Sequence, residues 1–413
     1  MGYILTYNQL YKDLYIAYLD ARKHKRNRSY QRRFESNLYN NLHNLCGELL
    51  YRNWKPRSSM CFIITDPKKR EVFAANFRDR IVHHLYYNYT HELYERTFIA
   101  DSYSCIKGRG THYAVKRLYH HIRKESQGYK VPCYVLKMDI SGYFMNINRH
   151  LLLEICYKTL DKMRFHKVSH YCAQKWNDIL DFDFIYYLTK EITLLNPLDN
   201  CLIKGNKLEW DNLPLNKSLF HTPNGCGLPI GNLTSQLFSN VYLNVLDQYV
   251  KRNLKAKYYG RYVDDFYIVS ADKSFLFLCA DKIKLMLREQ LSLTFHEGKM
   301  KVIASSQGVD FLGMFVKYHR KYVSRVTLGR MRLKLKTKKY SSVYQLKGSL
   351  QSYVGVLSHG YNYGLLKTLS SIPIQLPRIN GIVPDAVKTS GYGANGVHKG
   401  VGKPNNKNGI FLS

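Results

Sequence analysis

The stretch KYYGRYVDDFYIVSAD, from Lys257 to Asp272, places two adjacent acids inside a run of aromatic and β-branched residues. Such a run is typical of β-strands, and a strand, a tight turn and a second strand would hold Asp264 and Asp265 at the tip of a hairpin. Side chains alternate along a strand, so only one of the two acids need be a full metal ligand. Because carboxylates are costly to withdraw from water without a positive partner, we expect a metal ion to meet them.

The composition predicts a polyanionic partner. The chain has 413 residues, 45% of them hydrophobic, and its 63 Lys+Arg against 30 Asp+Glu give a formal net charge of +33. Nucleic acid is the first candidate, because each phosphate that Lys or Arg neutralises releases condensed counterions. An anionic membrane surface is the alternative, but the sequence has no apolar run of membrane-span length and no signal-peptide pattern. With nine scattered cysteines and no Cys-x-x-Cys pair, we expect a cytoplasmic protein with no membrane partner.

A further acid follows another predicted strand. In CYVLKMDISGYF, the β-forming run from Tyr134 to Met138 ends at Asp139. A lone acid in this position more often caps a turn, but Asp139 joins Asp264 and Asp265 to make a set of carboxylates. Acids from two such places can hold a pair of Mg²⁺ ions roughly 3.5–4 Å apart, which stabilises the attacking and leaving oxygens of a phosphoryl transfer. The pattern therefore predicts a two-metal site that meets a nucleoside triphosphate.

Two other segments leave alternatives open. Residues 1 to about 58 look helical and amphipathic, and they could bind RNA or simply pack against the rest of the protein. In DSYSCIKGRGTH, Gly108 and Gly110 accompany Lys107 and Arg109. This loop could let backbone amides approach a phosphate, or it could be an ordinary glycine-rich helix start with Thr111 as the N-cap.

The order of these motifs resembles that of the reverse transcriptases. The strand that ends in Asp139 is followed by GLPIGNLTSQLFSNVYLNVLDQYV, YVDD and FHEGKMKVIASSQGVDFLGMFV. The segments DSYSCIKGRGTH, GLPIGNLTSQ, RYVDDF and GVDFLG look like those of diversity-generating retroelements, and the resemblance covers roughly residues 60 to 320. It implies an α+β right-hand polymerase of fingers, palm and thumb, with an antiparallel palm sheet that carries the YVDD hairpin and with a helical thumb. The expected domains are an N-terminal helical extension (1–58), fingers and palm (59–320, with an insert at about 161–222), the thumb (321–376) and a flexible basic tail (377–413).

The resemblance also implies site residues. The metal ligands would be Asp139, Ile140, Asp264 and Asp265, and the three acids among them would be catalytic. The residues that bind the nucleotide would be Lys69, Arg70, Phe144, Ile230, Gly231 and Lys299. The residues that bind RNA or DNA would be Arg78, Lys107, Arg109, Gln236, Phe311, Leu312, Gly313, Arg330 and Lys334.

Several of these implied roles have a physical rationale. The planar guanidinium of Arg70 suits a triphosphate, and Lys299 resembles the lysine placed near the leaving pyrophosphate. Phe144 resembles the aromatic residue that packs under the sugar and excludes a 2′-hydroxyl, although it could equally be a core phenylalanine. The run VDFLG, Val309 to Gly313, resembles the primer-grip hairpin.

One position departs from the general reverse-transcriptase pattern. Many members have Pro-Gln-Gly where this chain has Pro229, Ile230 and Gly231. Isoleucine cannot supply the amide that glutamine offers to the nascent base pair, and one such contact discriminates by about 1–3 kcal/mol. Within the retroelement family, isoleucine at this place fits error-prone copying opposite template adenines.

The function expected from the sequence is therefore that of an RNA-dependent DNA polymerase. It would copy a template-repeat RNA into cDNA with low fidelity at adenines, for the targeted diversification of a variable gene (mutagenic retrohoming). The resemblance implies two Mg²⁺ ions, dNTP substrates, template RNA with its cDNA as an RNA–DNA duplex, and an oligomeric basic accessory variability protein in a ribonucleoprotein. It also implies a bacterial or phage-encoded protein. The alternatives are an antiphage defence reverse transcriptase and a catalytically silent RNA-binding scaffold.

Overall fold

The computed structural model describes residues 2–23, 28–66, 68–337, 342–362 and 364. Within this part the α-helices are α1 (Tyr7–Arg22), α2 (Ser29–Glu35), α3 (Leu38–Leu50), α4 (Phe77–Glu95), α5 (Thr111–Glu125), α6 (Tyr143–Asn146), α7 (Arg149–Arg164), α8 (Phe182–Leu194), α9 (Leu233–Gln248), α10 (Lys273–Leu291), α11 (Arg325–Thr337) and α12 (Val343–Ser358). The β-strands are β1 (Ser59–Ile64), β2 (Arg70–Ala74), β3 (Tyr134–Asp139), β4 (Cys201–Ile203), β5 (Tyr258–Tyr262), β6 (Asp265–Ser270), β7 (Lys301–Ala304), β8 (Val309–Phe311), β9 (Met314–Lys317) and β10 (Arg320–Val323). The predicted tail at 377–413 and the end of the 321–376 segment lie outside the described residues.

The strands form three sheets. The central sheet has the order β5-β6-β3-β7, and each neighbouring pair is antiparallel. The N-terminal sheet has the order β2-β1-β4, in which β1 is antiparallel to β2 and parallel to β4. The C-terminal sheet is an antiparallel meander of β8, β9 and β10. Helices and antiparallel sheets therefore occur together, as expected for the α+β class.

The central sheet is buried on both faces. On β3, Leu136 and Met138 belong to the large core that the helices share, while Val135 belongs to a second core under α5 and the C-terminal sheet. On β6, Ile268 faces the large core and Val269 the second. Because a strand covered on both faces has no solvent side, it reads as a continuous apolar run. Because both faces of these strands are apolar, the acids at the strand ends stand out in the sequence.

The N-terminal helices pack into the same large core as the central sheet. Leu10 and Leu14 of α1 and Leu42 and Leu45 of α3 are fully buried there, and α1 lies along α4. Of the two interpretations of residues 1–58, packing accounts for these apolar faces. The polar faces of the segment are left to carry any contact with RNA.

The predicted insert at about 161–222 contains helix α8 in its first half and strand β4 in its second. Strand β4 pairs parallel with β1, with Ser59 opposite Cys201 and Cys61 opposite Ile203. The insert thereby supplies the third strand of the N-terminal sheet. Its acid Asp181 accepts hydrogen bonds from the backbone of Phe184 (2.9 Å) and of Leu5 (3.1 Å), so it caps α8 and ties down the N-terminal segment.

No helix in the described part of the chain is both long enough and apolar enough to cross a membrane.

Candidate active site

Three carboxylates meet at one end of the central sheet. Asp139 is the last residue of β3 and pairs in register with Asp265, the first residue of β6, while Asp264 lies in the turn before it. The side chains of Asp139 and Asp265 are 16% and 28% exposed, so solvent still reaches both carboxylates. Strand pairing therefore brings together acids that are more than 120 residues apart in sequence.

The position of these acids is electrostatically costly. Burial raises the pKa of Asp264 to about 6, and the negative charge of Asp139 adds to this rise, while Lys299 and Arg70 oppose it. Burial likewise raises the pKa of Asp265 to about 6, opposed by Lys137 and reinforced by Asp139 and Asp264. The negative charge at this end of the sheet exceeds what the neighbouring cations neutralise, so the site favours an added cation.

Lysines contact two of the carboxylates directly. Lys299 forms an ion pair with Asp139, and Lys137 Nζ lies 3.8 Å from Asp265 Oδ1 and donates to the carbonyl of Asp310 at 2.7 Å. The Lys299 side chain is 56% exposed, so its ammonium can exchange Asp139 for another anion. The predicted nucleotide-binding lysine thus lies at the carboxylates themselves.

The donor set fits magnesium, although no group of three or more His, Cys, Asp or Glu side chains within the described residues is arranged as a ready-made metal site. Asp139, Asp264 and Asp265 offer only hard oxygen donors, which Mg²⁺ prefers, and their unneutralised charge would favour it. Ile140 has a buried side chain, so it could contribute only its backbone carbonyl. When bound there, Mg²⁺ would supply Lewis-acid stabilisation of phosphate oxygens.

The turn that carries Asp264 rests on a buried arginine. The Arg261 side chain is fully buried and holds Asp247 of α9 in a fork, with Nε to Oδ1 at 2.8 Å and Nη2 to Oδ2 at 2.7 Å. Its Nη1 donates to the carbonyl of Val263 at 3.0 Å and to Asn240 Oδ1 at 3.2 Å. A charge pair deep in the protein is therefore connected directly to the residue before Asp264.

Val263 shows why this support is needed. Its φ is +55°, in the left-handed region that a β-branched residue rarely adopts, at a cost of roughly 1–3 kcal/mol. Its N–H donates to Ser104 Oγ at 3.3 Å, and Ser104 in turn donates to Asn240 Oδ1 at 2.9 Å. Both backbone polar groups of Val263 are thus held by the Arg261 network, and this network fixes where Asp264 leaves the sheet.

A second polar network supports β5 and β6 from the other face. Tyr267 is fully buried, and its hydroxyl hydrogen-bonds to Tyr103 (2.8 Å) and His121 Nδ1 (3.1 Å). Tyr103 donates to Asp101 at 3.0 Å, and Arg117 holds both oxygens of Asp101 at 2.6 and 3.0 Å. Burial would raise the pKa of Asp101, but hydrogen bonds and charge from His121 and Arg117 hold it well below its usual range. The first part of DSYSCIKGRGTH is therefore a structural brace for the acidic hairpin.

The rest of that loop favours the ordinary helix start. Arg109 donates to the carbonyls of Ile99 (3.1 Å) and Ser102 (2.8 Å), which occupies its Nη1 within the loop, while Lys107 is exposed. The N-cap of α5 is Gly110, one residue before the predicted Thr111, so no side chain caps the start of this helix. Arg109 thus has a structural role here, and only Lys107 presents its charge freely to solvent.

The predicted nucleotide-binding residues come from several elements. Arg70 is exposed at the start of β2 and acts on the pKa of Asp264, while Lys69 donates to the carbonyl of Asp211. Phe144 is partly buried against the large core, and its ring meets that of Tyr143 edge-on at 5.4 Å. Phe144 therefore packs on the core, and its contact with the sugar stays a prediction.

Ile230 and Gly231 are joined to β2. The carbonyl of Ile230 accepts from the N–H of Phe73 at 2.8 Å, and the Ile230 side chain packs on a small core that includes Phe73 and Leu219. Gly231 has a φ of +126°, and a Cβ there would lie 2.9 Å from the carbonyl oxygen of Phe73. Only glycine fits this approach, and it sets Ile230 beside the N-terminal sheet.

Two of the residues predicted to contact nucleic acid have buried side chains. Arg78 is 5% exposed and its guanidinium pairs with Asp79 (3.1 Å) and Glu48, so its charge is neutralised inside the protein. Phe311 is 1% exposed, and its ring packs edge-on against Tyr267 at 5.2 Å. Neither side chain is accessible to a nucleic acid in this structure. The local sequence did not indicate this, because it does not specify burial.

The remaining predicted contacts lie on the surface or in turns. Gln236 is exposed near the start of α9, where it accepts from Cys105 Sγ at 3.4 Å. Leu312 and Gly313, with φ of +50° and +81°, form the turn between β8 and β9. Arg330 is exposed on α11, and Lys334 of the same helix pairs with Asp66 at 2.5 Å. For these residues, nucleic-acid binding stays a prediction.

The sequence interpretation missed Arg261, Asp247, Asn240 and Ser104, which support the site from below. Arg261, Asp247 and Asn240 are polar residues in otherwise apolar elements, GRYV on β5 and NVYLNVLD on α9, and this signal could have found them; Ser104 lies in a loop and has no such signal. Charged side chains are almost never fully buried unless they are paired. A basic and an acidic residue in neighbouring apolar segments therefore indicate a buried ion pair.

The central sheet therefore ends in three carboxylates with cations around them. Residues 65–316, more than half of the chain, match the family "Reverse transcriptase (RNA-dependent DNA polymerase)". The chain belongs to this reverse transcriptase family.

Solved structures of telomerases show similarity at low sequence identity. Apo telomerase from Candida tropicalis, truncated from its C-terminal domain, is 14% identical with a TM-score of 0.46 over 68% of this chain and 60% of that one. Telomerase from Candida albicans in complex with the TWJ fragment of telomeric RNA is 15% identical, with a TM-score of 0.46 over 77% of this chain and 55% of that one. The chain thus spans little more than half the length of these structures. No curated protein sequence matches it.

We expect the Arg261–Asp247 pair to dominate the stability of the acidic hairpin. Replacing Asp247 by Asn leaves a buried guanidinium without its counter-ion, which should lower the free energy of unfolding by about 3–5 kcal/mol in urea denaturation. The control is Asp281→Asn, since Asp281 is 76% exposed and lies 3.8 Å from Lys284. This change should alter stability by less than about 0.5 kcal/mol. Equal losses in the two variants would show that Asp247 has no special role.

Proposed function

We propose that the protein is an RNA-directed DNA polymerase that copies an RNA template into cDNA. The observation that carries this proposal is the meeting of Asp139, Asp264 and Asp265 at one end of the central sheet, in a chain with a net charge of +33. In the right-hand arrangement the N-terminal sheet with α4 is the fingers, the central sheet is the palm, the hairpin of β8 and β9 is the primer grip, and α11 and α12 belong to the thumb. The family supports this assignment at the level of the reverse transcriptase domain.

In this proposal each side chain at the site has a separate task. Asp139, Asp264 and Asp265 would hold two Mg²⁺ ions, and the Arg261 network keeps Asp264 in position. Arg70, exposed on the fingers side, binds the triphosphate through its fork of donors. Lys299 exchanges its ion pair with Asp139 for the departing pyrophosphate, whose charge it neutralises. Phe144 lies under the sugar and limits the space for a 2′-hydroxyl.

We further propose that the copying is mutagenic and belongs to a diversity-generating retroelement. The support is the set of segments that resemble those elements, together with the environment of Ile230. Its side chain packs on an apolar cluster with Phe73 and Leu219, so it offers no polar group to the nascent base pair. Low fidelity at adenines, diversification of a variable gene, a basic accessory variability protein and a bacterial or phage cytoplasm all follow from this subfamily assignment.

The metal-holding role of the acids predicts a loss of chemistry without a loss of RNA binding. Asp264→Asn or Asp139→Asn should reduce nucleotide addition in a primer-extension assay by on the order of a thousandfold or more, because several kcal/mol of transition-state stabilisation disappear. RNA affinity should change little, because the basic surface remains. Glu154→Gln, at an exposed site on α7, is the control. Polymerisation at the normal rate by either aspartate variant would refute the assignment, and inactivity of the unmodified chain would favour the silent scaffold.

The fidelity hypothesis predicts a change in the error spectrum. Ile230→Gln should reduce misincorporation, chiefly opposite adenine, because a restored polar contact contributes about 1–3 kcal/mol of discrimination. Ile230→Met, similar in length but apolar, is the matched control and should keep the original errors. The measurement is sequencing of cDNA made on one template by all three enzymes. If Ile230→Gln polymerises with an unchanged spectrum, infidelity arises elsewhere.

The ribonucleoprotein hypothesis predicts dependence on a partner. The net charge of +33 exceeds what one duplex in the active site needs. We therefore expect RNA and a basic accessory protein to co-purify with the chain. The chain stripped of both should lose the correct start site and most of its cDNA yield on the cognate template. Normal start and yield from the chain alone would show that no complex is required.

A further inference from the structure

The second half of the insert folds back onto strand β2, the strand that begins with Arg70. Residues 207–221 of the insert are called the insert loop below. Leu219 of this loop is buried in the small core that also contains Phe73 of β2 and Met145 of α6. The insert loop therefore packs where the N-terminal sheet meets the helix that follows the strand of Asp139. From this position it can influence the geometry of the active site.

A buried carboxylate on β2 holds the insert loop. The Glu71 side chain is fully buried. It accepts hydrogen bonds from Trp210 Nε1 (2.9 Å), from Ser218 Oγ (2.8 Å) and from the backbone N–H of Leu219 (2.7 Å). Within the described residues, every hydrogen bond to this carboxylate comes from the insert loop. Because a buried charge is costly unless it is hydrogen-bonded, the strand and the loop are held to each other.

The alternation of side chains along β2 connects this anchor to the active site. Neighbouring residues on a strand point to opposite faces. Glu71 faces the insert loop, whereas Arg70 is exposed. Burial raises the pKa of Asp264, and the charge of Arg70 opposes this rise, so Arg70 acts on the acids. On the other side of Arg70, Lys69 donates to the carbonyl of Asp211 in the insert loop. Arg70 is thus flanked on both sides by residues that bind the loop.

Another part of the insert loop contacts the turn after β3. Gly142 lies three residues after Asp139 and has a φ of +53°. A Cβ at Gly142 would lie 2.7 Å from the carbonyl oxygen of Asn216, so the loop and the turn approach closely. Asn216 Nδ2 also donates to Ser141 Oγ at 3.4 Å. The insert loop therefore spans from the start of β2 to the turn beside the acids.

We propose that the insert loop is a strut, a fixed connection between β2 and the turn after β3, that positions Arg70 for the triphosphate of the incoming nucleotide. Glu71 is the positioning residue through which the strut acts. The inference rests on the proposed function, which assigns Arg70 to the triphosphate. A guanidinium binds phosphate through two parallel hydrogen bonds only when its plane is aligned, so the backbone that carries it must be held in place.

The test measures binding of dGTP to the full chain in the presence of Mg²⁺. The chain carries an RNA template–DNA primer duplex whose primer ends in a dideoxynucleotide, so no nucleotide can be added. The dGTP pairs with a template cytosine, and the fluorescence of a neighbouring 2-aminopurine reports its binding. Glu71→Gln should weaken dGTP binding about tenfold, because its amide N–H faces a donor of the loop and Arg70 shifts. Trp210→Phe removes one donor but keeps an aromatic ring, and it should weaken binding about threefold.

A double-mutant cycle separates positioning from stability. Arg70→Ala should weaken dGTP binding by itself. Adding Glu71→Gln to Arg70→Ala should then change binding by less than about twofold, because the strut acts through Arg70. The matched control is Glu209→Gln, an exposed acid of the same loop that accepts from the backbone N–H of Asn206 at 3.4 Å. This control should leave dGTP binding unchanged. Thermal melting of every variant reports its stability.

Two results would overturn the inference. One is a lowered melting temperature of Glu71→Gln with unchanged dGTP binding, which would give Glu71 a purely structural role. The other is an equal effect of Glu71→Gln with and without Arg70, which would show that the loop acts by another route. If Glu71→Gln does not fold, Trp210→Phe decides by the same comparison. In each of these cases, primer extension by the unmodified chain would leave the proposed function intact.

The proposed function can also fail separately. If dGTP binding depends on Glu71 through Arg70 but the unmodified chain extends no ordinary primer, the polymerase function is wrong and the strut stands. Absence of dGTP binding to the unmodified chain would overturn both.

Discussion

The buried pair of Arg261 and Asp247 is the interaction on which the candidate site depends. Two opposite charges sit where water does not reach, so neither can be lost without leaving the other uncompensated. The fork of Arg261 also reaches Val263, so the strained residue before Asp264 is held from inside the protein. The strained backbone of Val263 destabilises the turn, and its hydrogen bond to the buried Arg261 helps to offset this cost.

The two polar networks act from opposite faces of the same hairpin. The Arg261 network lies towards α9, and the network of Tyr267, Tyr103 and Asp101 lies towards α5. The backbone links them, because the N–H of Arg261 donates to the carbonyl of Asp101 and the N–H of Tyr103 donates to that of Arg261, both at 3.0 Å. The hairpin is therefore held on each side, in a position where burial and the neighbouring carboxylates raise the pKa values of Asp264 and Asp265.

The acids and their strands were predictable because local patterns define them. A β-forming run that ends in a carboxylate can be recognised from a few neighbouring residues, and this holds for Asp139 and for the pair at 264 and 265. Burial of a basic side chain is different, because it depends on partners that are remote in sequence. Arg78 looks like a surface cation until Glu48, thirty residues earlier, is seen beside it. The partner of Arg261 is likewise on another element, and so are the donors to Glu71.

Strand β4 has a consequence for the order in which the chain folds. It completes the N-terminal sheet by pairing with β1, although more than 130 residues separate Ser59 from Cys201. On a ribosome that adds about 5–20 residues per second, the edge of β1 therefore waits many seconds for its neighbour. An unpaired edge is a template for pairing with other chains. The same long-range closure slows folding, because loop entropy must be overcome before the contact forms. The nascent chain therefore exposes this edge until the insert emerges, and chaperones could shield it from aggregation during that time.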